Sequence, residues 1–155
     1  MYNTLLFIHS VLRWVLLFAL LYSMYRAYLG WFGKTNFSGN DARMRLITII
    51  SAHLQLITGV LLFLISPIVR HFLNNFSDAV KIADFRFLAM EHTFLMLIAV
   101  TVITIGAAAS KRKSTDQKKF KTMAIWFSIA LLILIIATPW QLSPFGIVRP
   151  LLRGF

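Results

Sequence analysis

The stretch MRLITIISAHLQLITGVLLFLIS, residues 44–66, decides the class of fold, because residues 46–66 contain no Asp, Glu, Lys or Arg. A helix rising about 1.5 Å per residue crosses a ~30 Å hydrocarbon core in about 20 residues. Pro67 closes the stretch, since proline cannot donate the backbone hydrogen bond that would continue a helix. Three further stretches of the same character, roughly 4–28, 86–109 and 120–142, flank it in the sequence. Together they predict an all-α, integral membrane four-helix bundle, a single transmembrane domain over residues 1–155 without an internal repeat.

Composition agrees with that reading. Of 155 residues, 59% are hydrophobic and 14% charged, against about a quarter charged in soluble domains. The formal charge of +11 therefore reports membrane topology, and nucleic-acid binding is excluded because the basic residues fall in short connections between apolar runs. The absence of cysteine excludes disulfide scaffolds, thiolate metal sites, iron–sulfur clusters and covalently attached c-type haem. No HExxH, GxSxG or glycine-rich phosphate loop occurs, and Glu91 is the one carboxylate placed inside a span, which argues against hydrolysis and carboxylate-bridged di-iron chemistry.

Lys and Arg accumulate on the cytoplasmic side of a membrane. The first connection carries Arg26, Lys34, Arg43 and Arg45, and the third carries Lys111, Arg112, Lys113, Lys118, Lys119 and Lys121. Both are expected inside, which puts the two termini outside, in the periplasm of a bacterial inner membrane, although Arg149 and Arg153 in the tail weigh the other way. Met1–Leu6 lacks the basic residues of a signal peptide and no cleavage site follows, so the first span is expected to be retained. Between spans 2 and 3, Val69, Phe72, Leu73, Phe76, Val80 and Phe87 recur at helical spacing opposite Asn74, Asn75, Asp78 and Lys81, the pattern of an interfacial amphipathic helix.

Ionisable groups within a span cost about 2.5–3.5 kcal/mol on insertion scales, so each is a functional candidate. The first span has His9 and Arg13, one helical turn apart on one face; the second has His53 and Gln55; the third has Glu91 and His92. No ionisable residue falls between Lys121 and Arg149, so the fourth span reads as scaffold. Counting residues from the span ends puts His9 and His92 at nearly equal depth and His53 nearer mid-membrane. Equal depth is what two axial ligands of an upright porphyrin require, and neutral imidazole is the usual ligand of b-type haem iron. Glu91, about 100° around the helix from His92, is expected to pair with Arg13 or Arg86 or to orient a histidine. Thr48, Ser51, Gln55, Thr58 and Gly59 form a small-polar stripe on the second span, the signature of close helix packing.

HSVLRW at 9–14, AHLQLITG at 52–59, EH at 91–92 with RF before it, the basic third connection and TPW at 138–140 together resemble a family of small four-span bacterial membrane proteins. That family is found chiefly in Bacteroidota, and some of its members are labelled cytochrome b-like. By analogy with four-helix membrane cytochromes b, the resemblance implies haem b held by histidines of neighbouring helices and electron exchange with a quinol or a partner protein. Three histidines within spans allow one such haem, not two.

Three functions follow as expectations. The first is a haem b-binding protein relaying electrons, with His92 and either His9 or His53 on iron and Arg13 near a propionate. The second is a non-catalytic subunit or assembly partner of a larger membrane complex, suggested by the two-sided second span. The third is a small proton, anion or metal transporter or sensor that uses His9, Arg13, His53, Glu91 and His92 as a relay.

Overall fold

The computed structural model describes residues 1–150 and 152, so Arg153 lies outside the described residues. The chain forms α1 (Tyr2–Gly33), α2 (Gly39–Ile65), α3 (Pro67–Asn74), α4 (Phe76–Ala79) and α5 (Ala83–Arg86). A π-helical turn (Phe87–Glu91) then runs into α6 (His92–Lys111), and α7 (Asp116–Ala137) completes the bundle. Four of these helical stretches are long and apolar enough to cross a membrane: α1, α2, the continuous stretch Ala83–Lys111, and α7. No strand occurs among the described residues. Large apolar side chains such as Phe18, Leu64, Phe94 and Leu132 are exposed on the outside, where they meet lipid.

Polar residues at the helix ends set where each helix starts. Ser38 accepts from the backbone N–H of Asp41 while Asp41 accepts from that of Ser38, a reciprocal cap that begins α2. Ser66 caps α3 ahead of Pro67, and Thr115 caps α7. Lys34 turns the chain out of α1 in the left-handed conformation, with φ 51°. α7 ends at Ala137, about five residues short of the 142 expected from hydropathy, because Pro139 disfavours helical backbone at Thr138. The segment from 67 to 86 is three short helical pieces rather than one amphipathic helix. Val69, Phe72 and Ala79 turn inward there with Ala89 to make a small core of their own, while Leu73 and Phe76 stay exposed.

The long helices form a four-sided bundle in which α1 packs on α2 and α7, and α6 packs on α2 and α7, leaving α1 diagonal to α6. The main core is Leu16 and Leu20 of α1, Ile103 of α6, and Phe120 and Phe127 of α7. Two glycines permit the closest approaches. A Cβ on Gly30 would run into the Phe120 ring, and one on Gly106 would run into Trp126, so both helix pairs close only because these positions lack a side chain.

The bundle's two ends differ. One, here the basic end, holds the α1–α2 and α6–α7 connections with most of the Lys and Arg; the other holds α3–α5 and the segment after α7.

Candidate functional site

A cavity of about 270 Å³ lies within the bundle at the end away from the basic connections. On the same measure one water needs roughly 10–15 Å³, so this space suits a molecule of many atoms. Its walls are mostly apolar, with Leu16 and Leu17 from α1, Leu56 and Phe63 from α2, and Met96 and Val100 from α6. The ionisable groups that reach it are His9, Arg13, His92 and, from the segment after α7, Arg149; Gln55 and the hydroxyls of Tyr2, Ser66, Thr93 and Thr138 add neutral polar groups. An apolar chamber with a few convergent polar groups is the usual form of a ligand site.

His9 is held from α2 at both ring nitrogens. Its Nδ1 is 3.1 Å from Thr58 Oγ1 and its Nε2 is 3.0 Å from Gln55 Nε2. The Thr58 hydroxyl already donates to the Leu54 and Gln55 carbonyls. It therefore accepts from His9 Nδ1–H, and the Nε2 lone pair accepts from the Gln55 amide. Gln55 Oε1 is buried and has no hydrogen-bond partner. Gly59 completes the contact: a Cβ there would sit 3.3 Å from His9 Cε1. The small-polar stripe thus does two jobs. Toward the basic end it is packing, as Thr48 bonds Ser23 of α1 at 2.9 Å; toward the cavity it cradles a histidine.

His92 enters from the diagonal helix. Its Nδ1 is 2.7 Å from the carbonyl oxygen of Ala137, and a carbonyl only accepts, so Nδ1 bears the proton and Nε2 the lone pair. That bond belongs to the closure of the α7 C-terminus, where Leu134 O still takes the Thr138 N–H at 3.0 Å and the three carbonyls after it lack helical partners. Leu134 O receives Thr138 Oγ1 at 2.7 Å, Ile135 O receives Trp140 Nε1 at 2.7 Å, and Ile136 O receives Ser143 Oγ at 2.8 Å. His92 supplies the fourth donor. The π-helical turn directly before it changes the phase of the helix by one residue, which sets the direction from which the imidazole leaves the backbone.

Both cavity histidines therefore share one arrangement, with Nδ1 anchored to a fixed oxygen and a lone pair on Nε2. Second partners impose this arrangement on histidines that ligate metals.

No match is found among protein-family models, curated proteins or solved structures. The reading of the site rests on its own geometry.

His53 lies elsewhere. It is exposed on α2, with Nδ1 2.9 Å from the Ile49 carbonyl and Nε2 3.5 Å from Thr104 Oγ1 of α6, and it does not line the cavity. Of the four expected site residues the structure gathers His9, Arg13 and His92 and leaves His53 out. Glu91 pairs with Arg86 at 2.7 Å. Among the described residues no group of three or more His, Cys, Asp or Glu side chains is arranged to hold a bare metal ion.

Two residues outside the expected ligand set line the site, one with a sequence signal and one without. Gln55 carried a signal, since positions 55, 58 and 59 share the face of α2 that touches His9. Arg149 carried none: it sits in an irregular segment, lines the cavity and pairs with Asp84 of α5.

Proposed function

We propose that the chain is a haem b-binding membrane protein that relays single electrons, with one haem held between His9 and His92. One observation carries this reading: two histidines from diagonal helices line the same large cavity, each with Nδ1 anchored and a lone pair on Nε2. When bound, haem supplies a one-electron iron couple whose potential is set by its axial ligands and their surroundings. His92 is ready as it stands, because Ala137 fixes its tautomer without occupying Nε2. To hold iron, His9 would give up the Gln55 amide at its Nε2 while keeping Nδ1 on Thr58. Arg13 and Arg149 supply the cavity's cations for propionate carboxylates, and the apolar walls keep water from the site.

The same reading places the basic end in the cytoplasm of a bacterium and the cavity, with both termini, on the periplasmic side of its inner membrane. It puts α3–α5 at the interface and makes a quinol or a neighbouring subunit the electron partner. It also extends the resemblance to the cytochrome b-like four-span family.

The test is the oxidised and dithionite-reduced spectrum of detergent-purified protein produced with haem supplied. The expected result is a Soret band and a sharp alpha band that H9A and H92A abolish and H53A leaves intact. A featureless spectrum in the wild type, or bands that survive H9A and H92A, overturns the proposal.

A second reading, a subunit of a larger membrane complex, is favoured by the exposed His53. The Thr104 hydroxyl beside it donates to the Val100 carbonyl at 2.7 Å and so has no proton to give His53 Nε2, which leaves an imidazole acceptor on the lipid-facing surface. Recovery of the protein as a lone monomer under gentle extraction, with H53A unchanged in yield, would count against it.

A further inference from the structure

We infer that the basic end carries a binding site for the phosphate of an anionic phospholipid, seated between the start of α2 and the α6–α7 corner. This site is independent of the cavity and of what fills it.

Arg45 of α2 is half-buried. Its Nη1 lies 3.4 Å from Ser110 Oγ of α6, and its guanidinium carbon is 5.4 Å from the centroid of the Phe37 ring. Lys119 of α7 brings its ammonium to 5.3 Å from the same ring, and Ser110 donates to the Lys119 carbonyl at 3.1 Å. Two cations from different helices thus converge on one aromatic ring, and the Ser110 hydroxyl links the Arg45 guanidinium to the Lys119 backbone.

Neither carboxylate of this end reaches Arg45, and Asp116 is paired with Lys119 itself, so Lys119 carries its own counter-charge and the surplus cation of the site is Arg45. Asp116 takes Lys119 at 2.9 Å through one oxygen and the Phe37 backbone N–H at 3.0 Å through the other. Asp41 is occupied by Arg26 and Ser38. Arg45 is left without an ion-pair partner among the described residues. A partly desolvated guanidinium without a counter-charge is costly, and an anion arriving from outside removes that cost. A guanidinium fork beside an ammonium matches the oxygens of a phosphate.

The position selects a lipid over a soluble phosphate. Arg45 lies just inside the end of a span, where headgroup phosphates sit, and residues deeper along α2, Leu46 and Ile50, are exposed and apolar, as acyl chains require. Basic pockets between spans bind anionic headgroups in this way.

The test reconstitutes full-length protein in nanodiscs of phosphatidylcholine doped with phosphatidylglycerol and counts retained lipid by native mass spectrometry. Wild type is expected to retain phosphatidylglycerol selectively. R45Q and K119Q each lower that retention about fivefold, and R45K lowers it less. R43Q, an exposed neighbour, and R70Q, at the opposite end, change it less than twofold. Retention unchanged in R45Q and K119Q with helical circular dichroism intact overturns the site. So do equal losses in R43Q and R70Q, which would mean diffuse charge attraction, or displacement by millimolar inorganic phosphate, which would mean a soluble anion. Should R45Q fail to fold, R45K and K119Q carry the same test.

Discussion

At the cavity end each carboxylate has its own base: Asp78 with Lys81, Asp84 with Arg149 and Glu91 with Arg86. At the basic end ten Lys and Arg face only Asp41 and Asp116. The packing differs in the opposite sense. The basic end is drawn tight by Gly30 against Phe120, whereas the cavity end keeps an open chamber beside a glycine, Gly59, that merely touches His9. Charge balance and tight packing are thus divided between the two ends. The end with the larger surplus, ten bases to two carboxylates, is the tightly packed one, and the end with six bases to three carboxylates is the one with room for a ligand.

The sharpest break of this contrast is at Asp41. Its side chain is fully buried and holds Arg26 at 2.9 Å, so D41A strands a cation and removes the half of the α2 cap in which the carboxylate accepts from Ser38. Breaking a buried pair costs about 3–5 kcal/mol, and because Arg26 is 29% exposed a loss near about 3 kcal/mol is expected in a reversible detergent unfolding titration. Next comes the glycine contrast. G106A forces a methyl into Trp126 and should cost about 1–3 kcal/mol on the same assay, while G59A, whose Cβ would lie 3.3 Å from a movable ring, should cost less than about 1 kcal/mol. On the proposal that His9 ligates haem, G59A should nevertheless shift the haem absorption bands, so that stability and site report separately. The smallest effects belong to the exposed pairs. D78A removes a partner of Lys81 with both side chains well over two-thirds exposed, and no change in the unfolding midpoint is expected. D84N should cost under about 1 kcal/mol yet loosen the segment after α7, read as faster amide exchange over residues 138–150.

Much of this was legible in the chain because a bilayer makes hard demands. Residues 46–66 had to be a span, and Pro67 had to end it. Counting residues at a constant rise put His9 and His92 at similar distances from their span ends while leaving His53 open as a partner, and His9 and His92 line one cavity. Azimuth was not legible. Whether His53 faces the bundle or the lipid depends on how α2 is rotated, and an apolar surround fits either answer because lipid and core are equally apolar. The end of α7 was misjudged because hydropathy continues through Thr138–Leu142, whereas the backbone restriction before Pro139 decides the matter. Arg149 read as a stray tail charge, since its meaning comes from Asp84, 65 residues away.

The π-helical turn at Phe87–Glu91 has a consequence for ancestry and engineering. Such a turn holds one residue more than the α-helix would, so it marks a tolerated insertion whose effect is to swing everything before it by about 100° relative to everything after. Deleting one residue from 87–91 should let an ordinary helix re-form while rotating Arg86 and the connection behind it, so that Glu91 or His92 parts from its present neighbour. A related chain aligned with this one should show its gap there, and the presence or absence of that single residue would tell at a glance whether its histidine is aimed as His92 is.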